Sequence, residues 1–201
     1  MTTPRDLLII TMDVTSSRPV EQGELSLALA GAELIDLIAA QALSLDGERL
    51  LPGPQPALGD RLLDEAAAAL VREEPYESAE DWLWRRGRDL SAAYRTALEA
   101  EGDTVRPRHP WIPLRTGPAE LTDSPARRHA AERWTSGDPV LAGLAAAVGI
   151  HDKPTEEITD LADDAVVTVL AAVHEAVTEL EGVRQRRRIE EAAFDNIWRG
   201  Q

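Results

Sequence analysis

Arginine is the residue type that this chain gathers where an anion would be recognised. Between Trp82 and Arg115 stand seven arginines, Arg85, Arg86, Arg88, Arg95, Arg106, Arg108 and Arg115, with His109 among them. Only four acids face them there: Asp89, Glu99, Glu101 and Asp103. The whole chain carries a formal charge of −15, so this segment runs against its surroundings. A guanidinium offers a planar fork of donors that matches phosphate oxygens, and a segregated positive field is what would draw an anion to an acidic protein. Arg88 and Arg95 are seven residues apart and share a helix face. Trp111, Ile112 and Leu114 lie close by in sequence. The functional reading is an anion-binding patch, Arg88 with Arg85 or Arg95, beside an apolar tip that enters a membrane interface. The competing reading pairs several of these arginines with acidic surface elsewhere.

Other chemistry has less support. His151-Asp152 is an adjacent pair without a second histidine at helical spacing, so no zinc-hydrolase pattern forms. Asp160, Asp163 and Asp164 could face a cation, and a solvated helix start explains them equally well. His174 has apolar neighbours on a helix and reads as a core histidine. No nucleophile elbow, phosphate loop or dinucleotide fingerprint occurs. Cysteine is absent, which removes disulfides and thiolate metal sites. No catalytic residue, metal or cofactor is expected. Arg184, Arg186, Arg187 and Arg188 lie between Glu179, Glu181 and Glu190, Glu191, so ion pairs along the helix are their default account. A net charge of −15 also opposes nonspecific binding to nucleic acid or to an anionic membrane, which only a segregated basic patch reverses locally.

The elements that must hold these residues read as mostly helical. Leu7–Met12 is a short buried element that local propensity alone reads as a strand, and Val14–Gly23 is a loop. Glu24–Gln41 is the most apolar helix of the first half and the expected centre of packing, with Glu24, Ser26, Glu33 and Asp36 as its few polar positions. Small residues at Ala28, Ala30, Gly31 and Ala32 invite a close neighbour. Ala42–Leu51 alternates around Asp46-Gly47, a hairpin signal. Asp60 is placed to cap a helix carrying Leu62, Leu63, Ala66, Ala67 and Leu70, which Pro75 stops. Ser78 with Asp81 forms a capping box for a helix running to Glu101, with a wobble at Gly87 and a C′ glycine at Gly102. Four prolines in 103–118 exclude a helix and predict a projecting hairpin. Pro125 and Pro139 open two further helices, the second ending at Gly149. Thr155–Glu181, breaking near Asp163-Asp164, and Arg184–Trp198 complete the chain.

The run Pro56-Ala57-Leu58-Gly59-Asp60-Arg61-Leu62-Leu63-Asp64-Glu65-Ala66 resembles the P-T-G-D-x-L-L-D-E-A signature of the Golgi phosphoprotein three family, with Leu58 where the family has Thr. Trp82 fits the tryptophan that opens the following family helix. Pattern-level matches continue through Asp6–Asp13, Ala30–Asp46, Glu99–Gly102 and Pro139–Gly149. The resemblance implies a helical fold and binding of phosphatidylinositol 4-phosphate through one tryptophan and three arginines. Counted back from Gly102, the two helix arginines fall on Arg88 and Ser91. The arginine before the helix glycine falls on Ala30, and no tryptophan precedes Trp82, so Arg88 alone is kept. The family's membrane-inserting, self-associating hairpin falls on Trp111, Ile112 and Leu114.

The expectation is therefore a mainly α protein, one globular helical domain over 1–201 with peripheral β-hairpins. Its expected role is a non-enzymatic peripheral membrane or adaptor protein that binds an anionic phospholipid or phosphoinositide and self-associates through the hairpin. A regulatory or protein-interaction module of the same fold, without the lipid, is the alternative. The apolar start is too short for a signal segment, and no stretch approaches the roughly 18 apolar residues of a membrane span. The expected location is cytoplasmic, peripheral on the cytoplasmic face of a membrane.

Overall fold

The computed structural model describes residues 2–14, 18–105, 119–150 and 163–199, the stretch 192–199 as backbone. Among the described residues, eight helices and two small antiparallel hairpins make a mainly α structure. Helix α1 spans Thr3–Asp13 and α2 spans Gln22–Ala39. Strands β1 (Leu43–Asp46) and β2 (Arg49–Pro52) pair with Asp46 opposite Arg49. Gly47 closes that turn at φ +59, a backbone region that glycine enters without a Cβ clash. Helices α3 (Arg61–Ala68), α4 (Ala79–Arg86) and α5 (Leu90–Glu101) follow. Strands β3 (Thr104–Val105) and β4 (Glu120–Leu121) pair at the base of the expected second hairpin. Helices α6 (Pro125–Thr135), α7 (Pro139–Ala147) and α8 (Asp164–Arg199) close the described chain.

Local sequence accounts for the helix starts. The Asp60 carboxylate accepts from the Leu62 and Leu63 amides at 2.9 and 3.2 Å. Ser78 and Asp81 make the reciprocal capping box. Ser124 and Asp138 accept from the amides three residues on, at 3.2 and 2.9 Å, each just before a proline. Each cap satisfies amide donors that a helix start would otherwise leave without a partner. Gly102 closes α5 at φ +81.

Two boundaries differ from expectation. The helix predicted from Asp81 to Glu101 is two helices, because α4 ends at Gly87 and Asp89 turns into the left-handed region at φ 55. A Cβ on Gly87 would stand 2.5 Å from the Leu83 carbonyl oxygen and 3.3 Å from that of Ser26. The carbonyl of α4's own last turn leaves no room for a side chain there, and the backbone of α2 stands just beyond it. The two helices predicted after Thr155 form a single 36-residue helix beginning at Asp164. Asp163 caps it through Ala165, the structural role weighed for that acidic group, and nothing breaks it at 181–184.

Helix α2 is the centre, with α1, α3, α4, α5, α7 and α8 packed around it. Leu25, Leu29, Leu34 and Leu37 are fully enclosed. Helix α8 crosses it most closely at Gly31, where a Cβ would come within 2.2 Å of Val173 Cγ2. His174 is exposed, which corrects the core reading. Val173, Ala176 and Val177 face inward, and the 100° step of a helix turns position 174 away.

Asp6 of α1 and Glu24 and Glu33 of α2 are buried as well, and arginines reach the buried carboxylates. Arg133 of α6 binds Asp6 at 2.7 Å and Asp138 at 2.9 Å. Arg5 joins Asp60 and Glu101. Arg86 makes two 2.8 Å hydrogen bonds to Glu33, whose Oε1 also accepts from the Tyr94 hydroxyl at 3.1 Å. Burial pushes the carboxyls of Asp6 and Glu33 above the usual range, while Arg133 and Arg86 pull them back. Tyr94 is pushed up by burial and by Glu33, which keeps its hydroxyl a donor.

Candidate functional site

The first turn of α2, the α4–α5 corner and the middle of α8 enclose a cleft of about 510 Å³. Three local features shape it. Gly23 lets α8 come close, since a Cβ there would stand 2.7 Å from Arg184 Nη2 and 3.0 Å from Leu180 Cδ2. Ser26 Oγ accepts the Ser91 amide at 3.0 Å, tying the start of α5 to α2. The left-handed turn at Asp89 starts α5 without a side-chain cap. Arg88, Ser91, Trp84 and Arg184 therefore face one space.

Arg88 is exposed and makes no ion pair among the described residues. Arg184, opposite, binds the buried Glu24 carboxylate at 3.0 Å. A second cleft of about 670 Å³ begins on the other side of Arg184 and Glu21. Arg18, Glu24, Glu181, Arg187 and Arg188 line it. Glu24, 1% exposed, is held between Arg18 and Arg184 at 3.0 Å each. Its Oε2 has that ionic contact but accepts no well-aligned hydrogen bond.

The structure does not gather the three predicted headgroup arginines. Arg88 lines the cleft. Arg85 is bound to Glu77 at 2.6 Å and to the Ala69 carbonyl oxygen at 3.1 Å, and it stacks 5.2 Å from the Trp82 ring. Arg95 is half-buried, with its Nε enclosed and without a hydrogen-bond partner. Neither lines the cleft. Of the two non-arginine positions implied by resemblance, Ser91 lines it. Ala30 lies in the core, its carbonyl oxygen accepting from Trp82 Nε1 at 3.2 Å. Trp111, Ile112 and Leu114, with Arg106, Arg108, His109, Arg115, His151, Asp152 and Asp160, lie outside the described residues.

A family model described as Golgi phosphoprotein 3 (GPP34) matches residues 4–192. The chain belongs to the Golgi phosphoprotein 3 family. No curated protein matches it by sequence. In this GPP34 chain, Arg184 is the cleft residue that sequence reasoning assigned elsewhere. Four arginines in five positions, 184 to 188, were the available signal, and pairing within the helix was the expected outcome. Arg184 instead reaches across to α2. Among the described residues of this GPP34 protein, no group of three potential ligands could hold a metal ion, and no helix is long and apolar enough to cross a membrane.

Proposed function

We propose that this GPP34 protein is a non-enzymatic peripheral membrane adaptor that recognises a phosphorylated, anionic lipid headgroup in the cleft between α2, α5 and α8. The observation carrying the reading is Arg88, an exposed guanidinium without an ion-pair partner among the described residues, set in a cleft whose other wall carries Arg184. Arg85 and Arg86 are engaged with Glu77 and Glu33, which leaves Arg88 as the cation of that corner available to a ligand. Arg88 would contact phosphate oxygens, and Ser91 at the start of α5 would add a neutral hydroxyl donor. Trp84, partly buried at the rim, offers an amphipathic ring of the kind found at membrane interfaces.

Flotation with phosphatidylcholine vesicles tests this, comparing vesicles that carry phosphatidylinositol 4-phosphate with vesicles that carry only phosphatidylglycerol. A charge-assisted hydrogen bond contributes about 1.5–3 kcal/mol, so Arg88→Glu is expected to weaken the phosphoinositide-dependent part of binding by about tenfold or more. Binding equal to that of the parent protein would remove the cleft from the function.

A further inference from the structure

We infer that the end of α8, residues 185–199, is a second membrane-contact element: an interfacial helix that lies on an anionic lipid surface beside the cleft. Helix α8 packs on the body through Val169, Val173, Ala176 and Val177. Past Arg184 that contact ends, and every residue from 185 to 191 is exposed. Ile189 is 61% exposed, the most exposed of the large hydrophobic side chains among the described residues. By register, Ala193 and Ile197 stand one and two turns beyond it on the continuing helix. Ile189 itself, exposed on an otherwise packed helix, lacks among the described residues the partner that amphipathic patterning ordinarily serves.

Charge selects the occupant. Arg186, Arg187 and Arg188 make no ion pair among the described residues, within a chain of net charge −15. Ile189 follows three exposed arginines and precedes Glu190 and Glu191, which leaves 185–191 with a net charge of +1, and an apolar side chain beside such an arginine cluster suits the boundary between acyl chains and anionic headgroups. Position points the same way. Arg184 belongs to both clefts, and Arg187 and Arg188 line the second. The arm therefore continues from the headgroup cleft along one surface. The choice of a lipid occupant rests on the peripheral-membrane reading above, but not on the cleft being a headgroup site.

The test uses the full chain and phosphatidylcholine vesicles carrying phosphatidylglycerol, with and without phosphatidylinositol 4-phosphate. Ile189→Glu replaces an exposed side chain, and circular dichroism verifies that the fold is kept. Its partitioning is expected to fall about tenfold on both vesicle types. Arg187→Ala and Arg188→Ala are each expected to cost about fivefold and to flatten the salt dependence. Arg88→Glu, in contrast, is expected to remove only the phosphoinositide increment. A loss with Ile189→Glu but not with Arg88→Glu keeps the arm and removes the cleft reading. The reverse result removes the arm. Parental partitioning by both Ile189→Glu and the arginine variants overturns the proposal. A change in lipid-free molar mass with Ile189→Glu, read by light scattering, also overturns it, because a second copy would then cover the stripe.

Discussion

Arg86 closes a two-pronged ion pair on Glu33, Nε to Oε2 and Nη2 to Oε1, both at 2.8 Å, with the carboxylate fully enclosed in α2. Two residues on, Arg88 has no such partner among the described residues. Neighbouring arginines of one sequence run thus take opposite parts, one inside the scaffold and one facing the cleft.

Because Glu33 is out of water, removing its guanidinium leaves a buried charge without compensation. Arg86→Ala is expected to cost about 3–5 kcal/mol, measured as a lowered urea midpoint at pH 7. The double variant Arg86→Met with Glu33→Gln is expected to recover much of that loss, since no buried charge remains. Equal stability of Arg86→Ala and the parent chain would show that water reaches Glu33.

At the crossing of α2 and α8, Gly31→Ala places a methyl 2.2 Å from Val173 Cγ2. Overpacking of this kind costs about 1–3 kcal/mol. Adding Val173→Ala is expected to restore most of the loss, and thermal unfolding of the three variants reads the coupling. A tolerated Gly31→Ala alone would mean that the helices separate freely.

Asp36 gives a pH signature. It accepts the Thr3 amide at 2.8 Å, and burial pushes its carboxyl above the usual range, opposed by that bond. The folded state therefore holds the proton at a higher pH than the unfolded chain does. This contribution makes folding less favourable as pH rises from the unfolded carboxyl value, about 4, through the raised folded value. Asp36→Asn keeps an acceptor for Thr3 and removes the titration. Its stability relative to the parent is expected to improve between pH 4 and pH 7. A constant difference over that range would mean that Asp36 titrates alike in both states.

What could be read from the sequence was local. The caps at Asp60 and Ser78, the helix starts at Pro125 and Pro139 and the turn at Asp46-Gly47 depend on residues within a few positions of each other, and all five stand as expected. The charged interior could not be read this way. Glu33 and Arg86 are 53 residues apart, and Glu24 and Arg184 are 160 apart, so neither fate shows in helical spacing. The cleft shared this difficulty. Arg88 could be found because it lies in the positive segment itself, whereas Arg184 has Glu181 three residues before it and reads as locally neutralised. The break between α4 and α5 lies at the left-handed Asp89, beside the place where Gly87 meets the backbone of α2 at Ser26, a contact that no window of neighbours contains.

Gly182 sits in α8 with nothing within 4 Å of the place a side chain would occupy. Packing does not require glycine there, and glycine weakens a helix by roughly 0.5–1 kcal/mol against alanine. The rod is thus most compliant just where it leaves the body, like a thinned place in a handle. Bending there would tilt residues 185–199 while the crossing at Gly31 and Val173 stays fixed, so the angle of the arm can change without repacking that crossing.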